Sequence, residues 1–309
     1  MIKISIVAPC FNEFESIPLF IHKIIVLRSN LGDRFLIDLI IVNDFSTDGS
    51  GELLQEFNEL HNWITVIENK RNYGVYRSSY IGLKYAKGQW IVPMLPVDMQ
   101  DPIETLEEMI VLKSKSTKTG VFGKKTDRQE GFFTKNLRLA YYRILNFTSP
   151  RKTNQNVGEF GVIDRWVVDE CLIRNDYYPY LRGMISNITD DIQFHEYVWE
   201  SRLFGISKHN YIKLYDHAIN GFISSGAHFF RPLTLGGFLI SFFSILFALL
   251  NIGLYIFNRS LFEIDGIATI IVFGSFSFGF LFIFLGLLGE YILAIHAQVR
   301  GLDRYNIKS

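Results

Sequence analysis

Two long stretches without a charged residue, 233–257 and 266–289, constrain this chain more than any other feature of its sequence. At 1.5 Å per residue, a helix over either stretch would cross about 30 Å of hydrocarbon. The alternative is a pair of buried core helices, but such helices seldom exceed about 20 residues and usually carry a polar face. The pattern therefore predicts two membrane-spanning helices, at about 233–257 and 266–290.

The charges that flank these stretches predict their orientation. The connection 258–265 is short, whereas Arg231 precedes the first stretch and Arg300, Arg304 and Lys308 follow the second. Because basic residues favour the cytosolic side, we expect both termini and the main domain in the cytosol. Small residues on both stretches would also allow helix hairpins from two chains to associate as a homo-oligomer.

Charge and cysteine content narrow the class of protein further. The 31 basic and 31 acidic residues balance, which gives no nucleic-acid signal. Cys10 and Cys171 lie in apolar runs, so neither a disulfide framework nor a zinc site is expected. The sequence thus divides into a cytosolic domain over 1–210, an interfacial segment over 211–232 that mixes aromatic with basic residues, and a membrane part over 233–309.

The first hundred residues alternate short β-branched runs with helical patterns, which predicts an α/β domain with a mostly parallel central sheet. The expected strands are 3–9, 35–42, 63–68 and 90–94, and the expected helices are 16–29, 49–59, 75–86 and 102–113. In open sheets of this kind, ligands bind beyond the carboxyl ends of the strands.

Polar residues gather directly after three of these strands, in the segments 9–13, 43–50 and 96–102. Taken singly, each segment is consistent with an ordinary helix cap or turn. Their joint position predicts one crevice, in which Asp44 and Asp98 suit the base and a divalent cation of a nucleotide diphosphate-sugar. The domain contains no Gly-x-Gly-x-x-Gly sequence, which argues against a dinucleotide cradle.

These segments resemble motifs of the family-2 glycosyltransferases of GT-A fold, in the branch that contains dolichyl-phosphate mannose synthases and bactoprenol glucosyltransferases. The segment 9–13 resembles the opening Pro-x-x-Asn-Glu, 42–50 resembles Val-Asp-Asp-Gly-Ser-Thr-Asp-Gly, and 98–102 resembles Asp-Leu-Gln-Asp-Pro. Further matches are Asn72 with Gly74, a basic loop at 123–128, Glu159 with Phe160, Arg202 with 205–208, and the sequence GLLGEY at 286–291.

The resemblance implies an inverting transferase that moves a sugar from a nucleotide-sugar, taken to be UDP-linked, to a polyisoprenyl phosphate such as undecaprenyl or dolichyl phosphate. It places the protein in a bacterial inner membrane. It implies catalytic roles for Asp98, Glu159 and Arg128, an Mg²⁺ or Mn²⁺ ion on Asp98 and Gln100, and an acceptor phosphate on Lys125 and Arg128. The donor-binding residues that it implies are Pro9, Asn12, Glu13, Asp44, Asp98, Arg202 and Lys208.

Three residues depart from the family pattern. Pro96 replaces the first acid of Asp-x-Asp, Asn43 replaces the first Asp of Val-Asp-Asp, and Glu159 replaces an Asp. Loss of one carboxylate is expected to weaken metal binding, because ligand charge sets cation affinity.

Two other functions stay open at this point. One is a membrane-anchored transferase that elongates a glycan or lipid-linked saccharide at a hydroxyl group, for which Glu159 would act as the base. The other is a non-catalytic membrane scaffold with a degenerate metal site.

Overall fold

The computed structural model describes residues 1–126, 157–174, 179–200 and 266–299, together with a few single positions between them. The strands are β1 (Ile2–Cys10), β2 (Phe35–Asn43), β3 (Ile64–Glu68), β4 (Trp90–Val92), β5 (Gly120–Lys125), β6 (Val157–Asp164) and β7 (Ile192–Tyr197). The helices are α1 (Ile17–Leu31), α2 (Ser50–Leu60), α3 (Val75–Leu83), α4 (Ile103–Lys115), α5 (Arg165–Arg174), α6 (Leu181–Ile188) and α7 (Gly266–Val299). The four strands and four helices predicted up to residue 113 are confirmed. The predicted and observed ends of each element differ by at most three residues.

One seven-stranded sheet organises the described residues, in the order β3-β2-β1-β4-β6-β5-β7. Four neighbouring pairs are parallel, namely β1 with β2, β1 with β4, β2 with β3, and β5 with β7, whereas β6 runs antiparallel to both β4 and β5. The prediction of a mostly parallel sheet is therefore confirmed. The carboxyl ends of the other six strands share one edge with the amino end of β6.

Apolar side chains fill both faces of this sheet. Successive residues of a strand point to opposite faces, so Ile6 packs in a cluster with α1 and α4 while Val7 packs in another with α3, α5 and α6. A strand covered on both faces carries a nearly continuous apolar run. This explains why most residues of β1 are apolar and buried. The two cysteines are free and buried, with Cys10 in the first cluster and Cys171 in the second.

The second charge-free stretch, 266–289, lies within α7. Counting only the residues whose side chains the structure describes, no helix is long and apolar enough to cross a membrane. The interfacial segment 211–232 lies outside the described residues, as does nearly all of 233–257. The two-helix hairpin therefore stays a prediction.

Candidate active site

The three polar segments predicted to converge do meet at the shared edge of the sheet. The backbone N–H of Asp44 donates to the carbonyl of Cys10 at 2.8 Å, which joins the segments after β1 and β2. The N–H of Val97 donates to the carbonyl of Pro9 at 3.4 Å, which joins the segments after β1 and β4. The strand order explains this arrangement, because β1 lies between β2 and β4.

Each of the three segments contains one non-glycine residue with a left-handed backbone. Over the described part of the chain, the non-glycine residues with positive φ are Asn12 (54°), Phe45 (63°) and Met99 (54°). This conformation is uncommon for non-glycine residues and strained for bulky side chains, and such strain clusters at functional sites. The sequence gives no sign of it at Phe45 or Met99, because neither residue type favours that region.

Hydrogen bonds tie the segment after β1 to the segment after β2. The side-chain oxygen of Asn12 accepts the N–H of Thr47 at 2.8 Å, and the N–H of Glu13 donates to the hydroxyl of Ser50 at 3.1 Å. A Glu13 carboxylate oxygen in turn accepts the hydroxyl of Ser16 at 2.9 Å. The candidate donor-binding residues Asn12 and Glu13 therefore belong to a fixed frame.

Asp44 is 2% exposed and its carboxylate bonds to the chain itself. One oxygen accepts the side-chain amide of Asn69 at 2.9 Å and the N–H of Tyr73 at 2.8 Å, and the other accepts the N–H of Gly74 at 2.7 Å. Asp44 thus anchors the segment between β3 and α3. Its direct contact with a nucleoside stays a prediction.

Asp98 and Gln100, the candidate metal ligands, lie in the turn after β4. Asp98 is 8% exposed, and one of its oxygens accepts the N–H of Gln100 at 3.4 Å. Gln100 also pairs with Glu200, because its carbonyl accepts the N–H of Glu200 at 3.0 Å and its side-chain amide donates to the carbonyl of Glu200 at 3.4 Å. Glu200, three residues after the end of β7, therefore holds Gln100 in place.

These two side chains fit a divalent cation in part. Mg²⁺ and Mn²⁺ prefer oxygen ligands, and Asp98 supplies a carboxylate while Gln100 supplies an amide oxygen. Across the described residues, no three His, Cys, Asp or Glu side chains come together as a metal site. The pair therefore fits an ion whose remaining ligands come from elsewhere, such as the phosphate oxygens of a bound nucleotide.

Glu159 lies where the pairing of β5 with β6 becomes irregular. Phe122 pairs with Gly161, but Lys124 pairs with Val157, so β6 has extra residues around Glu159. Bulges of this kind re-aim side chains and recur beside active sites. The irregular pairing therefore falls in the part of β6 that contains Glu159.

The pKa of Glu159 is raised, because burial disfavours its ionised form. The positive charges of Arg182 and Lys125 oppose this shift, and the negative charge of Asp101 adds to it. The side chain is 7% exposed. Glu159 therefore holds a proton to a higher pH than an ordinary glutamate.

Lys125, the candidate acceptor-phosphate residue, ends β5 beside Asp101 of the segment 98–102 and beside Tyr197 and Trp199, for which the sequence predicted no role. Its ammonium lies 3.4 Å from a carboxylate oxygen of Asp101 and 4.4 Å from the centre of the Trp199 ring. The hydroxyl of Tyr197 donates to the same Asp101 oxygen at 2.5 Å. The sequence suggested only a turn at Asp101, because its partners lie on other strands.

Part of the predicted basic loop over 123–128 is wrong, since Gly123 to Lys125 extend β5 and pair with β7. The glycines of this strand weakened its β pattern. Arg128, Arg202 and Lys208 lie outside the described residues.

The fold places the chain in a known structural class. It is similar to the mannosyltransferase PcManGT from Pyrobaculum calidifontis, whose structure contains GDP-Man and Mn²⁺, with a TM-score of 0.50 and 15% identity over 94% of this chain and 86% of that one. The chain therefore has a GT-A-like α/β fold, as the motifs predicted.

Comparison of sequences identifies the family. Residues 5–171, more than half of the chain, match Glycosyl transferase family 2. The chain is 30% identical to the SfII prophage-derived bactoprenol glucosyl transferase of Shigella flexneri over 308 residues, covering 99% of this chain and 97% of that protein. It is 27% identical to the undecaprenyl-phosphate 4-deoxy-4-formamido-L-arabinose transferase of Proteus mirabilis over 314 residues, with coverage of 99% and 93%. The chain belongs to glycosyl transferase family 2 and is a glycosyltransferase.

Proposed function

We propose that this glycosyltransferase moves a sugar from a nucleotide-sugar to a polyisoprenyl phosphate, such as undecaprenyl phosphate, with inversion at the anomeric carbon. One observation carries the proposal. The candidate donor side, with Asp98 and Gln100, adjoins the candidate acceptor side, because the Lys125 ammonium lies 3.4 Å from Asp101, the residue after Gln100. The names of the relatives from Shigella flexneri and Proteus mirabilis support the choice of lipid acceptor.

The donor would lie over the ends of β1, β2 and β4. Asn12 and Glu13 are held in the frame that faces this crevice, and Asp44 fixes the segment beside it. Asp98 and Gln100 would hold Mg²⁺ or Mn²⁺, and such an ion neutralises charge on the departing nucleotide diphosphate.

The acceptor chemistry needs little base catalysis. A phosphate monoester is largely dianionic at pH 7, since its second pKa is about 6. One phosphate oxygen would form the bond to the anomeric carbon while the bond from that carbon to the diphosphate oxygen breaks. The protein then has to place and neutralise the acceptor phosphate, and the Lys125 ammonium at the end of β5 suits that task.

A membrane location follows from the same proposal. A polyisoprenyl chain is confined to the bilayer, and the charge-free stretches 233–257 and 266–289 would hold the domain against it. The basic residues that flank these stretches favour a cytosolic domain.

A second candidate acceptor, a sugar hydroxyl on a growing glycan, is favoured by Glu159. A hydroxyl nucleophile needs a general base with a pKa near the working pH, and burial raises the pKa of this carboxyl group. The Glu159→Gln variant separates the two reactions. With a phosphate acceptor we expect partial activity, whereas with a hydroxyl acceptor we expect nearly complete loss.

The direct test uses the purified full chain with radiolabelled nucleotide-sugars and undecaprenyl phosphate. We expect a chloroform-soluble labelled lipid with at least one donor, and none when the lipid is omitted. Absence of labelled lipid with UDP-glucose, UDP-N-acetylglucosamine and GDP-mannose alike, together with labelling of a glycan acceptor, would establish the second candidate instead.

A further inference from the structure

We propose that Tyr197 is a positioning residue that sets the Lys125 ammonium for the acceptor phosphate by acting through Asp101. The inference rests on the proposed function, since it assigns a role in acceptor binding to Tyr197, a residue outside the recognised motifs. Its basis is a shared atom. The Tyr197 hydroxyl, at 2.5 Å, and the Lys125 ammonium, at 3.4 Å, both approach the same carboxylate oxygen of Asp101.

The Tyr197 ring has a defined place against the sheet. It packs edge-on against Phe160, with ring centres 5.4 Å apart. A Cβ atom at Gly123 would lie 2.5 Å from the Tyr197 ring, so only glycine lets the ring cross β5 here. The carbonyl of Tyr197 also accepts the N–H of Thr126 at 3.0 Å. The hydroxyl is thus aimed at Asp101 by packing on several sides.

The surroundings of Lys125 explain why the direction of the Tyr197 hydroxyl matters for phosphate binding. Its side chain and that of Asp101 are only 12% and 11% exposed, so their attraction is weakly screened. A phosphate must compete with Asp101 for the ammonium. A hydrogen bond from Tyr197 fixes the Asp101 carboxylate and offsets part of its negative charge. Without the hydroxyl, Asp101 is able to turn toward Lys125 and bind it more tightly.

The test compares Tyr197→Phe with the wild-type chain. Loss of one hydrogen bond to a charged group corresponds to roughly a tenfold or greater change in an equilibrium constant. We expect the KM for undecaprenyl phosphate to rise about tenfold, with the KM for the nucleotide-sugar little changed. Farnesyl phosphate binding, followed by calorimetric titration, should weaken by a similar factor. This second measurement needs no turnover.

Two further variants show whether the effect runs through Lys125. In a Lys125→Ala background, Tyr197→Phe should add little, since coupled residues are not additive. Tyr80→Phe is the matched control, because it also removes a buried hydroxyl, one that lies 3.3 Å from the carbonyl oxygens of Cys171 and Leu172 on the other face of the sheet. It should leave both KM values near wild type.

The outcomes separate this inference from the function on which it rests. If the wild-type chain neither binds farnesyl phosphate nor labels a lipid, both fail. If the wild-type chain binds it and Tyr197→Phe binds it equally well, the positioning role alone is wrong. An equal loss from Tyr197→Phe with and without Lys125 would likewise overturn it.

Discussion

Replacement of Asp44 by asparagine should destabilise the domain strongly, although the two side chains have nearly the same shape. One side-chain oxygen would still accept from Asn69 and from the N–H of Tyr73. The new amide nitrogen, however, would face the N–H of Gly74, which now lies 2.7 Å from a carboxylate oxygen. Two donors would then point at each other, and a charge would be lost.

The magnitude follows from this count of bonds. A hydrogen bond to a charged group contributes about 1.5–3 kcal/mol, and a buried donor left unpaired costs about 1–3 kcal/mol. Together these give a loss of about 2.5–6 kcal/mol, which corresponds to a fall of roughly 5–25 °C in Tm for a domain of this size. Asp33→Asn, at an exposed position in the short 3₁₀ helix Gly32–Arg34, is the control and should leave Tm unchanged.

The assay is thermal unfolding of the full chain, combined with calorimetric titration of UDP. Anchoring of the segment by Asp44 predicts a lower Tm and weaker UDP binding in the same variant. If Asp44→Asn instead kept the wild-type Tm and lost UDP binding, the carboxylate would act on the nucleotide directly. That result would refute the anchoring argument.

Two other variants test the remaining groups of the site. Asp98→Asn should abolish nearly all turnover in the labelling assay while leaving Tm close to wild type, and full activity would show that Asp98 binds no catalytic cation. Glu159→Gln should change the pH dependence of Tm. Because burial raises the folded pKa of Glu159 above its ordinary 4.5, its protonated form stabilises the fold below that pH, and this contribution is lost as pH rises through the folded pKa. The wild-type Tm should therefore fall relative to the variant between pH 4.5 and neutral pH, and a constant difference would contradict the assignment.

The first half of the domain could be predicted from the sequence because its strands have a clear local pattern. β1 and β2 are continuous apolar runs that end in polar turns, and this pattern requires a sheet covered on both faces. In contrast, β5 and β6 contain glycines at 120, 123, 158 and 161, where side chains or backbone of neighbouring strands approach closely or the pairing is irregular. Their register depends on these tertiary contacts, which no local pattern reveals.

The same distinction holds within the site. Asp98 could be proposed because it follows an apolar strand directly, and Gln100 because the segment 98–102 resembles a family motif. Asp101, Tyr197 and Trp199 could not, because their association depends on β7 pairing with β5, more than 70 residues away along the chain. For Asp44, the position was predicted but not its partners, since Asn69 and Tyr73 come from the next loop of the sheet.

The pairing of Gln100 with Glu200 has a mechanical consequence. Glu200 is the last described residue before the segment that leads to the charge-free stretches, and it is fastened to the same turn that carries Asp98. The polypeptide that leads to the proposed membrane-spanning stretches therefore starts beside the candidate active site. With this fixed starting point, the length of 201–232 limits how far the lipid surface can lie from the sugar that is transferred.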